Sequence, residues 1–276
     1  RSTLFPYTTL FRSERCRRDQ LGDNGPVQRR QFLGVLGGAV LPVLGLPDFI
    51  EGDRINADEV DQLYRHTARI RRLDDILGGA HTYQQYAAQA AHTEHLLTAA
   101  RFSEASGRRL RALLAEQHQL AGWAAFDAGS HEQARQHYAT SHTAAEAADD
   151  PALAGNALAF VAYQQTMTAQ NGTATAQASY DTASAVATPR VATLLLERKA
   201  WAHAVAGDHR QADTALRLAR EALHRDDHRP EPDWVFWVDE REVDIMTGRC
   251  WTELHRPLRA VPIDRKSTRL NSSHER

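Results

Sequence analysis

The chain is expected to fold as an all-α stack of antiparallel helix pairs wound into a right-handed superhelix. Three observations lead there. First, Trp123-Ala-Ala-Phe-Asp-Ala-Gly-Ser-His-Glu-Gln-Ala134 aligns with Trp201-Ala-His-Ala-Val-Ala-Gly-Asp-His-Arg-Gln-Ala212. The Trp, the next Ala, the Ala before Gly, and Gly-x-His-x-Gln-Ala coincide at an offset of 78 residues (201 − 123). That is two units of about 39, within the span of about 34–47 residues expected of stacked helical pairs. Second, a helical apolar period runs from Asp58 onward. Third, no stretch sustains the alternation of a half-buried strand.

Each element follows from local signals. Val60, Leu63, Tyr64, Thr67, Ile70 and Leu73 fall on one helical face, with Arg65, Arg69 and Arg72 largely opposite. Leu77-Gly78-Gly79 closes this helix, because glycine accepts the left-handed conformation of a helix end. A second helix is expected over 81–101, with Tyr83, Tyr86, Leu96 and Leu97. A third, over 104–128, carries Leu110, Leu113, Leu114, Leu120, Trp123 and Phe126. Three hairpins follow: 109–128 with 131–147 turning at Gly129-Ser130, 151–169 with 173–187 at Asn171-Gly172, and 190–206 with 209–225 at Gly207-Asp208. Pro151 and Pro189 sit near helix starts, where a missing N–H leaves nothing unpaired. In each second helix a small residue precedes a larger one by four: Ala134 and Tyr138, Ala176 and Tyr180, Ala212 and Leu216. The alanine lets the partner helix approach and the larger side chain fills the space beside it. A last helix is expected over 232–247, ended by Gly248.

The two ends read differently. Residues 1–13 and 264–276 resemble translated sequencing adapters. Leu10-Phe11-Arg12-Ser13 and Asp264-Arg265-Lys266-Ser267 can be encoded by complementary strands of one DNA stem. Such segments carry no information about the fold. The whole chain has 33 Lys+Arg and 35 Asp+Glu; without the ends 27 and 33 remain, and Lys199 is then the only lysine. An acidic body lacking clustered Lys and Arg is a poor partner for phosphate backbones. Cys16 and Cys250 lack zinc or disulfide spacing, which points to a reducing, cytoplasmic setting. Residues 14–55 read as a linker with an apolar segment over 32–46, too short to cross a bilayer. Arg29-Arg30-Gln31-Phe32-Leu33 also fits a twin-arginine export signal, although no small-x-small cleavage site follows. Residues 56–257 are expected to form the repeat domain, truncated at its C-terminus.

The hairpins resemble tetratricopeptide repeats. Gly122, Gly129, Ala134 and Tyr138 match that family's first-helix Gly, turn Gly, early second-helix Ala and the aromatic four later. Gly207, Ala212, Leu216 and Ala219 match again, with Ala200 for the first Gly. The middle copy keeps Gly172, Ala176 and Tyr180 but shows no first-helix signature. Over most of 27–257 the chain is also similar to the sensor half of XRE-type helix-turn-helix regulators of high-GC bacteria. The residues carrying this are Arg29-Arg30-Gln31-Phe32-Leu33, Arg71-Arg72-Leu73-Asp74-Asp75-Ile76-Leu77-Gly78-Gly79, Ala121–Gly129 and Trp234-Val235-Phe236-Trp237. The resemblance implies a non-enzymatic binding domain. A DNA-reading domain would precede Glu14, so DNA is reached only through that missing part. A homodimer is a further expectation. The alternatives are a general repeat scaffold without a DNA partner and an exported protein.

His92 and His95 share a helical face, but no HExxH occurs and no third ligand is placed, so no metal is expected. Asp74-Asp75 and Asp226-Asp227-His228 read as helix-end and turn residues rather than acid/base pairs, and no catalytic residue or cofactor is expected. The concave face of the stack is the expected binding groove for a peptide, protein or small-molecule effector. The repeat register places Gln119, Trp123, Phe126 and Asp127 at or near it. Glu197 and Trp201 occupy the matching places, and Trp234 and Trp237 extend or close the surface. The competing reading makes both Trp123 and Trp201 core.

Overall fold

The computed structural model describes residues 54–77, 79–256 and 258–259. The adapter-like ends, the apolar segment 32–46 with Arg29-Arg30, and Gly78 lie outside them. The described residues form nine α-helices and no strand, apart from one isolated bridge between Arg54 and Arg101. The helices are α1 (Ala57–Leu77), α2 (Gly79–Ala99), α3 (Glu104–Asp127), α4 (His131–Ala147), α5 (Pro151–Met167), α6 (Thr173–Ala183), α7 (Pro189–Val205), α8 (His209–Leu223) and α9 (Glu240–Glu253). The all-α class expected from sequence is what the structure has.

Local chemistry sets the helix starts. Ser103, Asp150, Asp208 and Asp239 each accept a hydrogen bond from a backbone N–H in the following first turn. Pro151 and Pro189 open α5 and α7. Each of α3, α5, α7 and α9 is followed by a single residue in the left-handed region. It is Gly129 (φ 82°) after α3 and Gly207 (φ 76°) after α7, as expected for glycine. After α5 it is Ala169 (φ 59°), and after α9 it is His255 (φ 56°).

Gly172, in the turn expected between α5 and α6, has φ −90°. It is small because a Cβ there would lie 2.5 Å from the carbonyl oxygen of Ala162. The expected helix 232–247 is instead a single 3-10 turn, Asp233–Val235, followed by α9. Pro230 and Pro232 precede that turn and Pro232 flanks it, where a missing N–H disfavours earlier helix. Gly248 does not end α9, which runs on to Glu253.

Neighbouring helices pack in chain order, and the odd helices also pack on one another: α1 on α3, α3 on α5, α5 on α7, α7 on α9. The result is a continuous odd-numbered layer with α2, α4, α6 and α8 seated against it. The small residues expected at these seams are where packing needs them. Ala134, Ala176 and Ala212 are fully buried. A Cβ on Gly122 would overlap the Tyr138 ring.

Candidate functional site

Counting back from the left-handed residue of each odd helix gives one common register for α3, α5, α7 and α9. Seven positions back stand Gly122, Ala162, Ala200 and Gly248, all small. Six positions back stand Trp123, Tyr163, Trp201 and Arg249. These four meet across the layer. The Trp123 and Tyr163 rings are 5.9 Å apart. An Arg249 Nη donates to the Tyr163 hydroxyl at 3.4 Å, and its guanidinium lies 4.3 Å from the Trp201 ring centroid. Arg198 flanks the column, 5.6 Å from the Tyr163 ring centroid. Stacked cations of this kind are held by the negative ring face as well as by dispersion.

Trp123 and Trp201 are core side chains, each with a 5% exposed edge, and Phe126 packs between Trp123, Tyr163 and His131. Asp127 is exposed at the end of α3, apart from the column. Trp237 is buried beside α7 and donates its Nε1 proton to the Trp234 carbonyl at 3.0 Å, while Trp234 is half-buried. Trp123, Phe126 and Trp201 thus come together; Trp234 and Trp237 form a second group. Tyr163 and Arg249 were missed. Alignment on the turn residues finds them, but Ala169 and His255 are not glycines, so the sequence does not mark those turns.

Gln119 and Glu197 occupy one register position and have opposite surroundings. Gln119 is buried and satisfied: its amide donates to Ser141 Oγ and the Leu153 carbonyl, both at 3.1 Å, and its oxygen accepts from Asn156 at 2.7 Å. Glu197 is 0% exposed, and neither carboxyl oxygen has a hydrogen-bond partner among the described residues. Ala219 stands where Ser141 does, and Glu242 where Asn156 does. An amide pair in one repeat is a carboxyl pair in another. Burial pushes the Glu197 carboxyl well above the ordinary carboxylate range, and the Glu242 charge pushes it further. Glu242 is raised too, by burial first. The indole N–H of Trp201, one turn along α7, is also buried without a partner among the described residues.

A second polar cluster joins α2, α3 and α4. Tyr83 Oη lies 3.2 Å from His137 Nε2, the two Nδ1 atoms of His137 and His118 are 2.8 Å apart, and His118 Nε2 is 3.1 Å from Glu94. One tautomer set satisfies all three contacts with both rings neutral: Tyr83 donates to His137, His137 to His118, His118 to Glu94. Burial, and then the neighbouring His118, bring His137 down to about 4. Among the described residues no group of three or more His, Cys, Asp or Glu could hold a metal ion. Asp226, Asp227 and His228 lie in the α8–α9 loop, where Arg229 hydrogen bonds hold the Asp227 carboxyl down at about 2. The Cys250 thiol is buried, which pushes it up to about 12. No helix among the described residues is long and apolar enough to cross a membrane.

No family model, curated protein or solved structure matches the chain.

Proposed function

We propose that this chain is a non-enzymatic binding domain of tetratricopeptide type, the effector-sensing part of a cytoplasmic transcription regulator. In this reading a peptide, protein segment or small-molecule effector lies along the odd-helix face. DNA is contacted only through a helix-turn-helix domain preceding Glu14, and two copies pair as a homodimer. The observation that supports it most is the shared register: four successive odd helices carry Trp123, Tyr163, Trp201 and Arg249 at one position. These four side chains are buried and hold the odd helices in register; a layer of units stacked in one register suits an extended ligand. The regulator role rests on the sequence resemblance. The test uses the intact coding region and its product. A helix-turn-helix segment encoded upstream, and a gel shift on the protein's own promoter that an added effector alters, are expected. An intact product that retains no DNA under any effector condition would sink the regulator role.

A further inference from the structure

The segment between α8 and α9 returns across the odd-helix layer. Its base is fixed at α7. Glu231 accepts from Thr188 Oγ1 at 2.5 Å and from the Arg190 backbone N–H at 3.0 Å, and an Arg190 Nη donates to the Phe236 carbonyl at 2.7 Å. Val235, Trp237 and Val238 are buried against α7 and α8. The tip then reaches the far end of the layer. Asp233 accepts from Arg71 at 2.7 Å and from Arg72 at 3.2 Å, both on α1, and Arg71 is ion-paired with Glu116 of α3. The Arg72 guanidinium lies 5.4 Å from the Phe236 ring centroid. Trp234 packs between two clusters, one holding Leu114 and Leu153, the other Val191 and Leu194. Val235, Trp237 and Val238 are buried, whereas the tip is partly open: the Asp233 side chain is 49% exposed and Trp234 is half-buried.

We propose that this tip is an internal occupant of the binding face, and that the seat under it takes an extended peptide carrying an acidic residue followed directly by an aromatic one. The inference rests on the binding-domain reading above and names the partner's chemistry. Two arginines converge on one carboxylate, and an apolar cleft beside them holds one indole. That is a two-point recognition site, with charge for position and an aromatic anchor for affinity. The chain's own Asp233-Trp234 fills it in the closed state. An outside peptide of the same chemistry competes with it, so its apparent affinity is lowered by the fraction of closed molecules.

The test uses a fluorescein-labelled peptide with the sequence of residues 229–238 and reads fluorescence anisotropy. The native chain is compared with an Asp233→Ala/Trp234→Ala variant, whose base residues are untouched. The expected result is peptide binding at least about 10-fold tighter to the variant than to the native chain. Adding Arg72→Ala to the variant is expected to remove most of that gain. Equal binding to native and variant chains overturns the inference, as does binding indifferent to Arg72→Ala, which places the peptide elsewhere. A variant that loses its helical circular dichroism also overturns it, because a displaceable occupant leaves the helices folded. An effector that stabilises the native chain without disturbing the Asp233 contacts keeps the binding-domain reading and defeats only this inference.

Discussion

Glu197 and Gln119 show how one position can be settled in two ways. The Gln119 amide meets three hydrogen-bond partners, whereas Glu197 meets none among the described residues and lies beside a second buried carboxyl. Burial and the Glu242 charge keep Glu197 protonated well above the ordinary carboxyl range. Below about pH 4.5 the folded and unfolded chains both hold this proton. Above it the unfolded chain releases the proton and the folded chain does not, so stability falls as pH rises until the folded carboxyl ionises. Glu197→Gln removes that dependence. Thermal unfolding is expected to show the variant near native stability at pH 4 and increasingly more stable than native towards pH 8. A gap that stays constant with pH would contradict the burial account. A second residue-scale expectation concerns Ala169, whose φ of 59° places a Cβ where L residues are strained. Ala169→Gly is expected to stabilise by roughly 1 kcal/mol, read as a Tm rise of about 2–4 °C for a domain of this size. The same change explains what the sequence hid. Glycine marks the turns at 129 and 207 openly, while alanine and histidine at 169 and 255 conceal two of the four.

At the scale of helix pairs, the α3–α4 and α7–α8 seams solve one packing problem with different side chains. Gly122 faces Tyr138, and the corresponding residues of the second pair are Ala200 and Leu216. Small opposite large fills the seam, and its total volume matters more than either residue. Gly122→Ala alone drives a methyl into the Tyr138 ring and is expected to cost about 1–3 kcal/mol in chemical denaturation. Tyr138→Leu added to it should restore most of the loss, since the pair then has the composition of the second seam. Additive losses in the double variant would show that the two side chains do not share a seam. This pattern was legible because size alternates at fixed spacing. The 3-10 turn was not: Trp234, Phe236 and Trp237 have spacing compatible with a buried helical face, yet they belong to a strap with prolines at 230 and 232. The partners that hold it, Arg71 and Arg72, are 162 and 161 residues away from Asp233. No local pattern reports a contact of that range.

Across the whole molecule, α3, α5, α7 and α9 stand side by side in one register, so that equivalent positions touch. Helix content and pairing were readable from periodicity and turn residues. The layer was not, because contacts between odd helices leave only a faint trace in sequence spacing. Trp123 and Trp201 were recognised as a matched pair, and their burial follows once another odd helix lies between them carrying Tyr163. The most direct measurement is a double-mutant cycle on Trp201 and Arg249, which sit at equivalent positions of α7 and α9. Trp201→Leu, Arg249→Met and the pair would be compared by urea unfolding. A guanidinium over a largely buried indole is expected to give a coupling of about 1–2 kcal/mol. Losses that add to within about 0.5 kcal/mol would mean that the two side chains do not meet and that the shared register is wrong.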